Sequence, residues 1–233
     1  MMQSLRQGFT ALVIVASGGI GGAVARALDG APAAGQVLRL SRSVDGLDIT
    51  DEARVAAAAE RMSGELDGFD LIFDATGALE IADDRPEKSL RALDPAAMAR
   101  QFAVNAIGPA LLIKHFSPFL PRDRRAIFAT LSARVGSIGD NRLGGWISYR
   151  AAKAALNQIV RTASIELARS RPQSLLVALH PGTVATNLTQ TYGQGHDKMA
   201  PDAAAHRLLA ALDGLPDDAN GGFFAYDGSR IEW

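Results

Sequence analysis

The chain contains no cysteine. Disulfides, thiolate metal sites and thiol nucleophiles are therefore excluded, and the usage fits a reducing compartment. It also has no excess charge of one sign: 24 Lys and Arg stand against 25 Asp and Glu, for a net −1. No global field draws in nucleic acid or an anionic membrane surface. The densest basic group, Arg122, Arg124 and Arg125, has no aromatics interleaved and reads as a solvated loop. The histidines, His115, His180, His196 and His206, fall at no metal-ligand spacing, so no metal site is expected. The opening MMQSLRQGFT holds no apolar signal core, and the run Ala11–Ala16 is too short to cross a bilayer. A soluble cytoplasmic protein is the expectation, with neither nucleic acid nor membrane as partner.

What the chain has is apolar material in a regular order. Of 233 residues, 48% are hydrophobic, enough for one sizeable core. Short apolar runs read as strands at Ala11–Ala16, Val37–Leu40, Leu71–Ala75, Arg125–Thr130 and Leu175–Leu179. Between them, helical patterns run over Gly21–Leu28, Ala53–Ser63, Pro95–Leu120, Tyr149–Ser170 and Ala203–Leu212. Asp94-Pro95 is a helix-start signal. The alternation predicts a single α/β domain over 1–233, a doubly wound parallel sheet between helix layers in three αβα layers. The tail GGFFAYDGSRIEW adds a short final strand and turn. Asn187–Asp202 is polar, glycine-containing and without period, as binding loops and lids often are.

Two stretches carry chemistry. In LVIVASGGIGGAVARAL, an apolar strand gives way to Ser17, Gly18, Gly19, Gly21 and Gly22 and then to a helix. Such a turn offers free helix N-terminal amides to a phosphate, and glycines let it approach. The spacing GxGxxG fails, because Val24 stands where the third glycine belongs. In SYRAAKAALNQIV, Tyr149 and Lys153 are four apart and share a helix face. A phenol has a pKa of about 10, and a neighbouring ammonium lowers it toward usefulness in acid–base work.

With these motifs in view, the whole chain resembles the short-chain dehydrogenase/reductase family. The glycine turn is similar to TGxxxGxG through Gly19 and Gly21. Asp48 matches the acid that contacts adenine, and DATG, Asp74 to Gly77, stands where NNAG follows the fourth strand. Asn105 matches the helix asparagine of the proton relay, Tyr149 and Lys153 match YxxxK, and HPGTVAT matches PGxVxT beside the nicotinamide. The resemblance implies a Rossmann fold and hydride transfer between NAD(P) and a small carbonyl or alcohol. Tyr149 would give or take the proton, Lys153 would lower its pKa and hold the ribose, Asn105 would support a water relay, and a serine would bind the substrate oxygen. Cofactor contacts are expected from Ser17, Gly18, Gly19, Ile20, Gly21, Ser41, Arg42, Asp48, Ala75, Thr76, Gly77, Asn105, Tyr149, Lys153, Pro181, Gly182, Val184 and Thr186.

No acid follows LRLSRS to bind a ribose 2′-hydroxyl. Ser41 and Arg42 offer a hydroxyl and a cation instead, so NADP(H) is expected over NAD(H). Three departures stand out. Val15 replaces the first turn glycine, and either stays extended or weakens binding. LSARVG puts Ser132 first and Ala133 second where the family has two serines, leaving Ser132, or alternatively Ser137, for the serine role. DATG lacks the asparagines, and Asp74 or Thr76 are expected to fill their structural hydrogen bonds. Trp146 and Ile147 precede the tyrosine and are placed to line a pocket, with 187–202 as its lid. The long helices match those the family uses to form homodimers or homotetramers. The expected function is a carbonyl reductase; the alternative is a catalytically weak nucleotide-binding or regulatory protein on the same scaffold.

Overall fold

A computed structural model describes residues 1–64, 66–82, 84–186, 189, 192 and 197–233. Strand β1 (Phe9–Ile14) is buried along its whole length. A strand with no polar face must be covered on both sides, which calls for helices above and below a parallel sheet. The same holds for β3 (Leu71–Asp74) and β4 (Ala126–Leu131), and for β5 (Ser174–His180) up to its last residue. β2 (Ala34–Leu40) is half exposed, as an edge strand must be, and β6 (Phe223–Ala225) closes the other edge. Among the described residues the sheet runs β2-β1-β3-β4-β5-β6, with every pair parallel.

The strand pleat sorts side chains into two cores. Val13, Phe73, Ala129 and Val177 face α1 (Gly19–Asp29), and the same core includes residues of a late helix, Pro201–Asp213. Leu12, Ile72, Phe128 and Leu176 face α3 (Glu52–Ser63), α5 (Gly108–Phe116) and α6 (Ile147–Ser170). We number the late helix α7. The three layers expected of the alternating pattern are present. Phe73 and Phe128 are both wholly buried. Truncating either to Ala costs about 3–5 kcal/mol in such a core.

Two segments differ from the sequence reading. A single-turn helix α2 (Arg42–Asp45) follows β2. The predicted helix over Pro95–Leu120 is a chain of pieces: α4 (Pro95–Phe102), one π turn (Ala103–Ile107), α5, and a 3-10 turn (Ser117–Phe119). Pro109 is the physical reason available for the irregularity. It has no amide hydrogen to give the carbonyl of Asn105 four residues back, and the backbone widens there. By length and composition Pro95–Phe119 could cross a membrane, with mean hydropathy 1.3. Here it packs on α3 and α6.

The strand order reverses direction beside β1. From β1 the chain crosses to β2 on one side, and returns through α3 to β3 on the other. Turns leaving the carboxyl ends of β1 and β3 therefore lie side by side, where open α/β sheets hold their ligands.

Candidate active site

The turn after β1 keeps the shape its glycines suggest despite Val15. Val15 takes φ +62°, a left-handed conformation that costs a β-branched residue about 1–2 kcal/mol. It does not stay extended. Its carbonyl accepts from Gly18 N at 3.0 Å and so closes the turn. Close approach then requires the glycines that follow. A Cβ on Gly21 would lie 2.3 Å from the Val15 carbonyl oxygen, and one on Gly19 would lie 2.8 Å from Thr186 Cγ2. Helix α1 begins without a side-chain cap and without an acid in its first turn. Its leading amides are thus left for an anionic group. Ser17 is exposed there and Ile20 half-buried.

The turn after β3 holds Asp74, Ala75, Thr76 and Gly77. Asp74 is wholly buried, accepting from Thr130 Oγ1 at 2.6 Å and from Thr76 N at 2.9 Å. Burial raises its carboxyl pKa, while these hydrogen bonds and the Lys153 charge pull the other way. Thr76 Oγ1 is buried with no partner at full hydrogen-bonding geometry, although its hydroxyl still helps to lower the Asp74 pKa. Gly77 adopts φ +152°, and a Cβ there would come within 3.2 Å of Lys153 Nζ and 3.5 Å of Asn105 Oδ1. Lys153 and Asn105 therefore both border this turn.

Helix α6 delivers Tyr149 and Lys153 to the same place. Its start is forced by three successive positive φ values: Gly144 (+63°), Gly145 (+66°) and Trp146 (+50°). Only the third is strained, since glycine pays no Cβ penalty. Trp146 is held by its own amide, which donates to Glu87 O at 2.6 Å, and by Arg150 N on its carbonyl at 2.8 Å. The Glu87 carboxylate then accepts from Ser148 N at 2.8 Å and from the Ser148 hydroxyl. In this pose the Trp146 ring lies edge-on to Tyr149, 6.5 Å between centroids, and to Tyr192, 5.6 Å.

Tyr149 is 7% exposed and Lys153 1%. Burial raises the Tyr149 pKa, and Lys153, whose Nζ donates to Leu131 O at 2.9 Å, is lowered by burial to about 8. The depression of the phenol that the sequence pairing predicts is not found: burial sets the direction, and it is upward. Asn105 sits in the π turn. Its Oδ1 accepts from Ala78 N at 3.0 Å, and its Nδ2 donates to Ala78 O at 2.8 Å and Gln101 Oε1 at 2.7 Å. The side-chain amide is spent on holding the Ala78 loop and Gln101.

Both candidate serines are hydrogen-bonded inside the protein, Ser132 as a donor and Ser137 as an acceptor. Ser132 is 4% exposed and donates to Asn157 Oδ1 at 2.6 Å; Ser137 Oγ accepts from Asp140 N at 3.1 Å. At the cofactor-selecting end, Ser41 caps α2 by accepting from Val44 N at 3.2 Å, and Arg42 is exposed. An acid that sequence spacing missed also reaches this point: Asp45 Oδ2 accepts from Ser41 N at 2.8 Å. Asp48 bonds Thr50 through both its amide, 3.0 Å, and its hydroxyl, 2.7 Å, and its pKa is lowered chiefly by these bonds. Pro181, Gly182, Val184 and Thr186 follow β5. Gly182 (φ +76°) packs under Tyr226, and Val184 pairs with Met199. Between them, His180 ends β5 with Nδ1 buried and unpartnered, its pKa lowered by burial to about 4. Half of the expected lid, 187–188, 190–191 and 193–196, lies outside the described residues.

The geometry fits a dinucleotide. Uncapped α1 amides, an orphaned Thr76 hydroxyl and a buried ammonium with one protein partner all face the switch point. Comparisons with known proteins agree. The profile of a family described as enoyl-(acyl carrier protein) reductase matches residues 15–220. A 1-hydroxy-2-glutathionyl-2-methyl-3-butene dehydrogenase of Rhodococcus sp. is 33% identical over 81% of this chain and 79% of its own. The C-signal of Myxococcus xanthus is 37% identical over 60% of this chain and 81% of its own. An NADPH-bound carbonyl reductase from chicken fatty liver superposes with TM-score 0.83 at 24% identity, covering 100% and 96% of the two chains.

Proposed function

The chain belongs to the short-chain dehydrogenase/reductase family, and from that premise we propose that it is an NADP(H)-dependent carbonyl reductase acting on a small aldehyde, ketone or secondary alcohol. The carrying observation is the buried Lys153, whose Nζ borders the turn after β3 and which lies one helical turn from the buried Tyr149 on α6.

The bound nicotinamide supplies or accepts the hydride. Its pyrophosphate would lie on the α1 amides between Ser17 and Gly21, its ribose on Lys153, and its nicotinamide beside Pro181–Thr186. Tyr149 holds the proton. A phenol that burial keeps neutral can give its proton to the oxygen of a carbonyl under reduction. Lys153 holds the charge that stabilises the phenolate once the proton has left. Asn105 fixes the Ala78 loop and offers its main-chain carbonyl to the water that returns the proton. Ser132 must leave Asn157 to reach a substrate oxygen, so Tyr149 carries that contact. Arg42 and Ser41 favour the 2′-phosphate of NADP(H). Ile107 and Ile165, 52% and 49% exposed on the long helices, mark the face for a second copy.

The inward Ser132 and strained Val15 favour the second reading, a scaffold that binds nucleotide and turns over weakly. Titration with NADPH and NADH by nicotinamide fluorescence, followed by a carbonyl screen of wild type and Tyr149→Phe, decides between them. We expect NADPH-selective binding in both proteins and a loss of kcat of about 10²–10⁴-fold in the variant. Binding with no turnover in wild type would establish the scaffold instead.

A further inference from the structure

The buried carboxyl of Asp74 is more than these assignments use. Hydrogen bonding at the end of β3 needs only an acceptor for Thr76 N and a partner for the Thr130 hydroxyl, and a neutral asparagine supplies both. An asparagine is also what the family pattern carries there. An acid in a wholly buried position is costly unless charge meets it.

The geometry shows what meets it. Thr130, which donates to Asp74, is followed in β4 by Leu131, whose carbonyl receives Lys153 Nζ. Carboxyl and ammonium are therefore moored to consecutive residues of one strand. From the other side Gly77, three residues after Asp74, leaves the gap that Lys153 Nζ borders. Around Asp74, β4 presents Thr130 and the π turn presents Asn105, neither of them charged. From α6 come Lys153 and, one turn earlier, Tyr149. Lys153 is a charge that acts on Asp74 and favours its anionic form.

We propose that Asp74 is a positioning residue that sets the charge carried by Lys153, and through Lys153 the proton held on Tyr149. The last step rests on the reading of Tyr149 as proton donor; the coupling of Asp74 to Lys153 does not. An anionic Asp74 keeps Lys153 protonated inside the core, and offsets part of the attraction that would draw a proton off Tyr149. This chain would then hold the phenol in its acid form to higher pH than an asparagine at the same place would allow.

Asp74→Asn removes the charge while keeping both hydrogen bonds. Every neighbouring pKa should fall, because a nearby negative charge raises them all. With 13C-labelled lysine, the Lys153 Cε resonance, assigned by its loss in Lys153→Met, should titrate lower by about one pH unit than in wild type. In active protein, both limbs of the kcat/KM profile should move to lower pH. Thr130→Val, which strips a donor from the carboxylate and so favours its neutral form, should shift Lys153 the same way by less. That variant tests the coupling if Asp74→Asn fails to fold. A Lys153 titration unmoved in the folded variants would overturn the inference, whatever the activity. Should Lys153 move while Tyr149→Phe keeps full turnover, the coupling stands and the reading of Tyr149 falls.

Discussion

Strand β3 is bounded by two buried carboxyls, and the molecule treats them differently. At its amino end Asp70, wholly buried, accepts from Thr10 N at 2.9 Å and from Arg6 Nε at 3.2 Å and Arg124 Nε at 2.7 Å. At its carboxyl end Asp74 has a hydroxyl, one amide and the field of a single lysine. The Asp70 carboxyl is saturated, although Ser4 Oγ and Arg125 Nε, ahead of β1 and β4, are buried without partners; the carboxyl ends of the strands keep Thr76 Oγ1 and His180 Nδ1 unpartnered and add Val15 and Trp146 in left-handed backbone. Strain and unspent hydrogen-bonding capacity gather where a ligand is to be bound, because a site relaxed against itself has nothing left for one.

Removing the saturated carboxyl is the largest test of that division. Asp70→Ala leaves the buried Thr10 amide without its acceptor and takes one partner from Arg6 and Arg124, both of which still reach Asp67. Breaking a buried pair from one side costs about 3–5 kcal/mol, and chemical denaturation should show a loss of that size. Cofactor affinity, measured on the protein that remains folded, should stay within about twofold. A cofactor loss comparable with the stability loss would mean that the two edges are coupled and the comparison is wrong.

Relaxing the strained edge should do the opposite. Val15→Gly exchanges a left-handed β-branched residue for one that takes φ +62° freely. Relief of about 1–2 kcal/mol is set against the greater unfolded-state entropy of glycine, leaving about 1 kcal/mol of stabilisation. NADPH should also bind more tightly, since the turn gains room where the Val15 side chain now approaches Gly18. A thermal melt and a fluorescence titration read both. A destabilised variant would show that the Val15 side chain contributes more packing than its backbone costs.

The sequence reading reached the layers, the six strands and the Tyr149–Lys153 face because each depends on a short repeat of burial or spacing. The inward turn of Ser132 depends on the pleat. β4 ends at Leu131 and the backbone stays extended through Ala133 (φ −147°), so Thr130 and Ser132 share the α6 side and Ala133 takes the other. Fixing that orientation requires the strand's last residue, and boundaries are what periodicity resolves least well. Asp45 was missed for a different reason. Four residues separate it from Ser41, and only the one-turn helix between them folds the carboxylate back onto the Ser41 amide.

Asp45 also supplies the smallest test, within the ligand edge itself. On the proposed reading Ser41 and Arg42 receive a 2′-phosphate, yet a carboxylate occupies the Ser41 amide and would oppose a second anion. Asp45→Asn keeps an acceptor for that amide and removes the repulsion. A partly exposed charge of this kind is worth about 0.2–1 kcal/mol, so NADPH should bind up to about fivefold more tightly while NADH is unchanged. Arg42→Ala should weaken NADPH alone. Equal shifts for both nucleotides would place Asp45 against the shared part of the cofactor. Selectivity would then have to be sought elsewhere along the edge, and the contest between Arg42 and Asp45 at one phosphate would not exist.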